Sequence, residues 1–288
     1  MIDQLLLATD FTSRSELALD RALVLASGRP DKIDALHVID GNVSPALLRG
    51  EESASAPVMA GLFDTRLGPD APRPNVLIRK GDPFEEILAA ANDRDDNLII
   101  MGAPRHRRFL ESLRGTTLER VLRASSRPVL SVRAPAKTPY RRVLFATDMS
   151  EASGIALQTA ERLGLLTKTH VTAVHALWPP VPHMVADGDT LGSLTRRQIA
   201  AEKTVAKSEL DAFLSGLKHG QYKLDSKVIE GTPQMAVRDC IEDFAPDLVV
   251  LGTRGRSGVL RLMLGSVAED LLSWVPVDVL AVPPEEPA

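Results

Sequence analysis

The sequence predicts an α/β protein made of two doubly wound domains in tandem, each with a five-stranded parallel sheet. Three observations carry this. The chain repeats itself once, short apolar runs alternate with amphipathic stretches in each repeat, and a glycine pattern follows the fourth apolar run.

The repeat is read directly. Leu5-Leu6-Leu7-Ala8-Thr9-Asp10 returns 138 residues later as Val143-Leu144-Phe145-Ala146-Thr147-Asp148. The same offset puts Ala18-Leu19 on Ala156-Leu157, Ala22 on Ala160 and His37 on His175. From Gly81-Asp82-Pro83, which matches Gly231-Thr232-Pro233, the offset is 150. It then aligns residues 97–102 with 247–252, Gly115-Thr116 with Gly265-Ser266, and 129–132 with 279–282. One 12-residue insertion therefore lies between His175 and Gly231. A unit near 140 residues is a whole domain, not a solenoid repeat. The expected domains are 1–138 and 139–288, joined by the Pro-punctuated stretch 134–139.

Within the first unit the apolar runs 5–8, 33–39, 76–78, 98–101 and 129–132 are short and nearly continuous. Strands covered on both faces of a parallel sheet read this way. Between them, 15–26 places Leu19, Ala22, Leu23 and Ala26 on one helical face, and 84–91 follows Pro83, which suits a first helical turn. In the second unit 193–217 is a long polar helix. Its counterpart, 41–74, is rich in Gly, Pro and Ala and is expected to be looser or partly mobile.

Composition bounds the function. At 288 residues, 44% hydrophobic and 25% charged, the chain has the make-up of a globular protein, not a disordered one. No apolar run approaches the ~18 residues of a membrane span, and Met1-Ile2-Asp3-Gln4 lacks the basic start of a secretion signal. The single cysteine, Cys240, excludes an internal disulfide and reads as a small core residue, so a reducing cytoplasm is the expected compartment. A net charge of −4 offers no whole-chain footprint for nucleic acid.

Ligands of doubly wound sheets bind beyond the carboxyl ends of the strands. Asp148 falls at the end of the first strand of its unit, and Gly252-Thr253-Arg254-Gly255 directly follows the fourth. Nine residues on, Gly265-Ser266 opens a helix. The glycines let the backbone approach a ligand, and their N–H groups can form an anion nest. A helix start adds free donors and the positive end of the dipole, which favours a phosphate chain. Asp148 could accept hydrogen bonds from ribose or adenine. The competing reading is that these are turn and capping residues. The pattern is neither a P-loop nor the dinucleotide fingerprint.

Both units resemble universal stress protein domains, on the A/V-x-D after the first strand, the histidine of the second strand and G-x-x-G-x9-G-[S/T] after the fourth. The resemblance implies strand order 3-2-1-4-5 in each unit. It implies an ATP site in which Ala146, Thr147, Asp148 and Ala176 surround adenine and ribose, while Gly252, Arg254, Gly255, Gly265, Ser266 and Val267 hold ribose and phosphates. Magnesium or manganese often accompanies the phosphates in that family, although this chain shows no dedicated carboxylate set for it. Relatives of one domain pair through their last strands, a role expected here of 129–132 and 279–282, and further homodimerisation of the tandem chain is left open.

The first unit departs from the motif. It reads Gly102-Ala103-Pro104-Arg105, so an arginine replaces the second glycine and Pro104 removes a donor. Asp10, Gly102, Gly115 and Thr116 survive, and binding there is expected to be weakened. The stretch 105–133 holds eight arginines against Glu111 and Glu119, either a solvated, internally paired face or an anion or partner surface. Nucleic acid is disfavoured, because the only aromatic there is Phe109. His37 and His175 are expected to end buried strands in hydrogen-bonded structural roles, and Trp178-Pro179-Pro180-Val181-Pro182 to form a stiff loop beside the site.

No catalytic constellation can be assembled from repeated positions, and H-x-G-H and S-G-G-x-D-S patterns are missing. The expected function is an ATP-binding stress regulator whose nucleotide state alters its conformation or protein partners. A slow ATPase and a scaffold with a purely structural nucleotide are the alternatives.

Overall fold

The computed structural model describes residues 2–41, 45–93, 98–104, 115–178, 189–217, 220, 222–253 and 264–284. The first unit runs β1 Leu5–Thr9, α1 Ser13–Leu25, β2 Ile33–Asp40, α2 Pro45–Asp64, β3 Asn75–Gly81, α3 Pro83–Asp93, β4 Ile99–Gly102, α4 Thr117–Ala124 and β5 Val129–Val132. The second repeats it: β6 Arg142–Ala146, α5 Glu151–Arg162, β7 His170–Leu177, α6 Asp189–Gly216, β8 Lys223–Glu230, α7 Pro233–Phe244, β9 Leu248–Gly252, α8 Ser266–Trp274 and β10 Asp278–Val282.

Each unit has the expected strand order, but the two sheets are one. Ten strands run β3-β2-β1-β4-β5-β10-β9-β6-β7-β8. Pairing is parallel within each unit and antiparallel at the centre, where Leu130 faces Leu280. The last strands meet as expected. Pairing them removes two open edges that would otherwise recruit other chains.

Strand alternation sends side chains to two helical layers. Leu5 and Leu7 of β1 pack with Ala18, Leu19 and Ala22 of α1 and with Met59 and Phe63 of α2. Leu6 and Ala8 pack on the opposite face with Ile87 and Ala90 of α3 and Val121 and Leu122 of α4. Both layers cross the seam: Leu130 and Leu280 belong to the first, Val129 and Val279 to the second. The outer strand β3 is not covered on both faces, and Val76 is exposed there.

The stretch expected to be loose contains the 20-residue helix α2, with Pro57 inside it. A mid-helix proline lacks an N–H and crowds the preceding turn. Tertiary burial overrides that local penalty, since Met59 and Phe63 are sealed against the sheet. The counterpart α6 is 28 residues long, which absorbs much of the insertion.

Candidate functional site

The site grows from a turn that the two units share almost atom for atom. After β6 the chain passes Thr147 and Asp148, and Met149 takes a left-handed φ of 62° before Ser150 caps α5. The Asp148 Oδ1 accepts from the Ser150 backbone N–H at 3.0 Å and from its hydroxyl at 2.6 Å. Thr147 Oγ1 accepts from the Met149 N–H at 2.9 Å and lies 2.7 Å from the Ser153 hydroxyl. In the first unit Asp10 Oδ1 accepts from the N–H and hydroxyl of Thr12 at 3.1 and 2.6 Å, and Phe11 has φ 59°. Burial raises the Asp10 pKa, but hydrogen bonds from Thr12 and Ser15 more than offset it and hold the carboxyl below its ordinary value.

Both repeated histidines brace this turn. The Nδ1 of His175 lies 2.9 Å from the Thr147 carbonyl, and that of His37 lies 2.9 Å from the Thr9 carbonyl. A carbonyl only accepts, so Nδ1 donates. The structural role expected of them holds, with one correction: both stand inside their strands rather than at the ends.

A cleft opens over the carboxyl ends of β6 and β9. Its volume is about 270 Å³. One wall is Ala146, Thr147, Asp148 and Ser153; Val174, His175 and Ala176 come from β7. Pro233, Ala236 and Val237 of α7 form an apolar side, and Leu251, Gly252 and Thr253 end β9. Gly265, Ser266, Val267, Ala268 and Leu271 supply the start of α8. Eight expected residues meet here: Ala146, Thr147, Asp148, Ala176, Gly252, Gly265, Ser266 and Val267. Arg254 and Gly255 lie outside the described residues, as do Pro179 to Pro182 of the proposed stiff loop; Trp178 is exposed. The apolar wall was missed because Ala236, Val237 and Leu271 read as ordinary core positions. The repeated Gly231-Thr232-Pro233 was the signal that could have found it: Thr232 caps α7, whose first residue Pro233 lines the cleft.

A second cleft of about 560 Å³ occupies the same place in the first unit. Asp10, Gly102 and Thr116 line it, together with Pro104 and Arg14, whereas Gly115 does not. Gly102 has a structural reason to be glycine. A Cβ there would lie 2.7 Å from the Arg14 carbonyl carbon and oxygen. Arg105 lies outside the described residues.

The two helix starts differ. In α4, Thr116 is the N-cap: its hydroxyl accepts from the Glu119 N–H at 3.2 Å, and Glu119 Oε2 accepts from the Thr116 N–H at 3.0 Å. This reciprocal cap satisfies two donors internally. In α8 the N-cap is Gly265, which has no side chain to close the helix. Its own N–H donates to the Thr253 carbonyl at 2.8 Å, which ties the helix start to the end of β9.

Among the described residues no cluster of His, Cys, Asp and Glu could hold a metal ion, and no helix is long and apolar enough to cross a membrane. Among the described residues of 105–133, several arginines are committed internally. Arg120 binds both Asp82 oxygens, at 3.1 and 3.0 Å, Arg123 binds Glu269 at 3.0 Å, and Arg133 donates to the Leu272 carbonyl. Cys240 is buried, which pushes its thiol pKa up to about 11.

Fold and clefts together define a tandem pair of doubly wound α/β domains, each with a ligand-sized opening at its strand ends. A sequence model of the universal stress protein family matches the chain twice, over residues 1–133 and 139–283, and the chain belongs to that family. Universal stress protein Sll1388 of Synechocystis is 26% identical over 152 residues, half of this chain and 97% of that protein. Universal stress protein E of Escherichia coli is 25% identical over 218 residues, 71% of this chain and 66% of that protein. The solved structure of a universal stress protein from Archaeoglobus fulgidus superposes with a TM-score of 0.65 at 22% identity, covering 98% of this chain and 99% of that one.

Proposed function

We propose that this chain is a cytoplasmic ATP-binding stress regulator that holds the nucleotide mainly in the cleft of its second unit. The observation that carries the reading is the junction of that cleft with α8. Gly265 and Ser266 line the opening, and no side chain caps the helix behind them. An uncapped N-terminus presents backbone donors and positive potential to an anion. The apolar wall of Val174, Ala236 and Val237 suits a base, and Asp148, which also lines the cleft, is the residue we assign to the adenosine end. Arg254 and Gly255 complete the sequence motif for the phosphates. A magnesium or manganese ion would arrive on the phosphates, because the described residues offer it no cage of their own.

Calorimetric titration with ATP tests this. Gly255→Arg copies the first unit's Arg105 and should cost at least tenfold in affinity, ~1.4 kcal/mol. Equal affinity in both proteins removes the glycine motif from the phosphate site. Mass spectrometry of the co-purified ligand separates ATP from other nucleotides.

A further inference from the structure

We propose that one carboxylate, repeated in both units but held in opposite ways, sorts the two clefts: Glu119 closes the first to phosphate, and Arg123 holds Glu269 back so that the second stays open. The inference rests on the reading of the second cleft as a nucleotide site.

The two glutamates occupy equivalent places, three residues beyond Thr116 and Ser266. Glu119 folds back over its own helix start. Its Oε2 is bonded to the Thr116 N–H, and a Cβ on Gly115 would lie 2.8 Å from that oxygen. A negative charge therefore already sits where the dipole of α4 would attract a phosphate, and it uses the donors a phosphate would need. Two anions competing for one set of donors repel, so the polyphosphate end of a nucleotide is excluded there.

Glu269 does not fold back. Its Oε1 is paired with the Arg123 guanidinium of the other unit at 3.0 Å. Perfect two-fold symmetry across the β5–β10 seam would give Glu119 the same partner. The position equivalent to Arg123 in the second unit is Ser273, whose hydroxyl donates to the Asp270 carbonyl at 2.6 Å. Serine is too short and uncharged to draw Glu119 away. One Arg-to-Ser difference thus makes a symmetric scaffold asymmetric.

Stoichiometry reads this out. The wild-type chain should bind one ATP by calorimetry; Glu119→Ala combined with Arg105→Gly, which restores the second glycine of the motif, should bind two, whereas Arg105→Gly alone should still bind one. If the alanine variant does not fold, Glu119→Gln in the same background removes the charge and keeps only a neutral cap, which a phosphate displaces, so it too should bind two. In the second cleft Arg123→Ala should weaken ATP about two- to fivefold, the scale of a half-exposed ion pair, and adding Glu269→Ala should restore it. One site in a folded Glu119 variant that also carries Arg105→Gly overturns the exclusion, as do two sites in wild type or in Arg105→Gly alone. An unchanged affinity in Arg123→Ala overturns the role of the pair. No site in wild type or in Arg105→Gly alone but one in the double variant refutes the second-cleft reading and leaves the exclusion standing; no site in any of them refutes both.

Discussion

Arg21 of α1 and Asp278 of β10 are 257 residues apart in sequence, and their side chains meet at 2.9 Å with both fully enclosed. Asp278 also accepts from the Tyr140 hydroxyl at 2.8 Å and from the backbone N–H groups of Arg133 and Ala134 at 2.8 and 3.2 Å. Arg21 lies 4.1 Å over the Tyr140 ring and donates to the Thr138 carbonyl. One buried carboxylate therefore ties the first unit, the connecting stretch and the last strand together.

Removing one partner strands the other. A buried ion that loses its counter-charge costs about 3–5 kcal/mol. Arg21→Ala should lower the unfolding free energy by that order in urea. Tyr140→Phe, which removes one hydrogen bond to a charged acceptor, should cost about 1.5–3 kcal/mol. If Arg21→Ala unfolds with the wild-type midpoint, the cluster does not stabilise the seam.

The chain has two tyrosines, and both resist ionisation. Burial, reinforced by the charge of Asp278, raises Tyr140 well above its ordinary value. Burial and the charge of Glu161 push Tyr222 up to about 12. A raised pKa in the fold means the protonated form is favoured there, so this contribution is full below pH 10 and is lost as pH rises beyond it. Stability should fall with alkali above about pH 10, the ordinary tyrosine pKa. The tyrosinate band near 295 nm should appear with unfolding rather than before it. A normal tyrosinate titration of the native chain near pH 10 contradicts the burial of these hydroxyls.

Gly102 is expected to matter for packing before any ligand arrives. Its missing Cβ lets β4 end against the backbone of Arg14 and Ser15. Gly102→Ala forces that backbone to move, and overpacking of this kind costs about 1–3 kcal/mol. Thermal unfolding of the nucleotide-free protein checks it. A melting temperature equal to wild type would hand this glycine back to ligand binding alone.

The nucleotide should be retained rather than consumed. Hydrolysis requires a positioned base near the terminal phosphate. The candidate carboxylates Asp148, Glu269 and Asp270 are all engaged: Asp148 accepts from Ser150, Glu269 is paired with Arg123, and Asp270 accepts from the Trp274 indole N–H at 3.2 Å. Turnover should lie far below the ~10 per second typical of enzymes. A rate near that value, abolished by Gly265→Arg, would favour the slow-hydrolase alternative and more.

How much of this was legible depended on range. The repeat exposed the strands and the strand-end residues Asp148, Gly252, Gly265 and Ser266, because β-runs and glycine turns are local patterns; the strand order and the places of Ala146, Thr147, Ala176 and Val267 in the second cleft came through the family resemblance. Helix α2 was misjudged because Gly, Pro and Ala lower local helix propensity, whereas Met59 and Phe63 gain burial only once a sheet exists to receive them.

By itself, the sequence determined the duplication, the α/β class and the residue types at both strand-end turns, since each follows from spacing of a few residues. Only the tertiary structure decided that Arg21 finds Asp278, and that Glu119 closes its helix while Glu269 reaches for Arg123. Those outcomes depend on side chains brought together from distant parts of the chain, and the seam between the two units is what sets them at bonding distance.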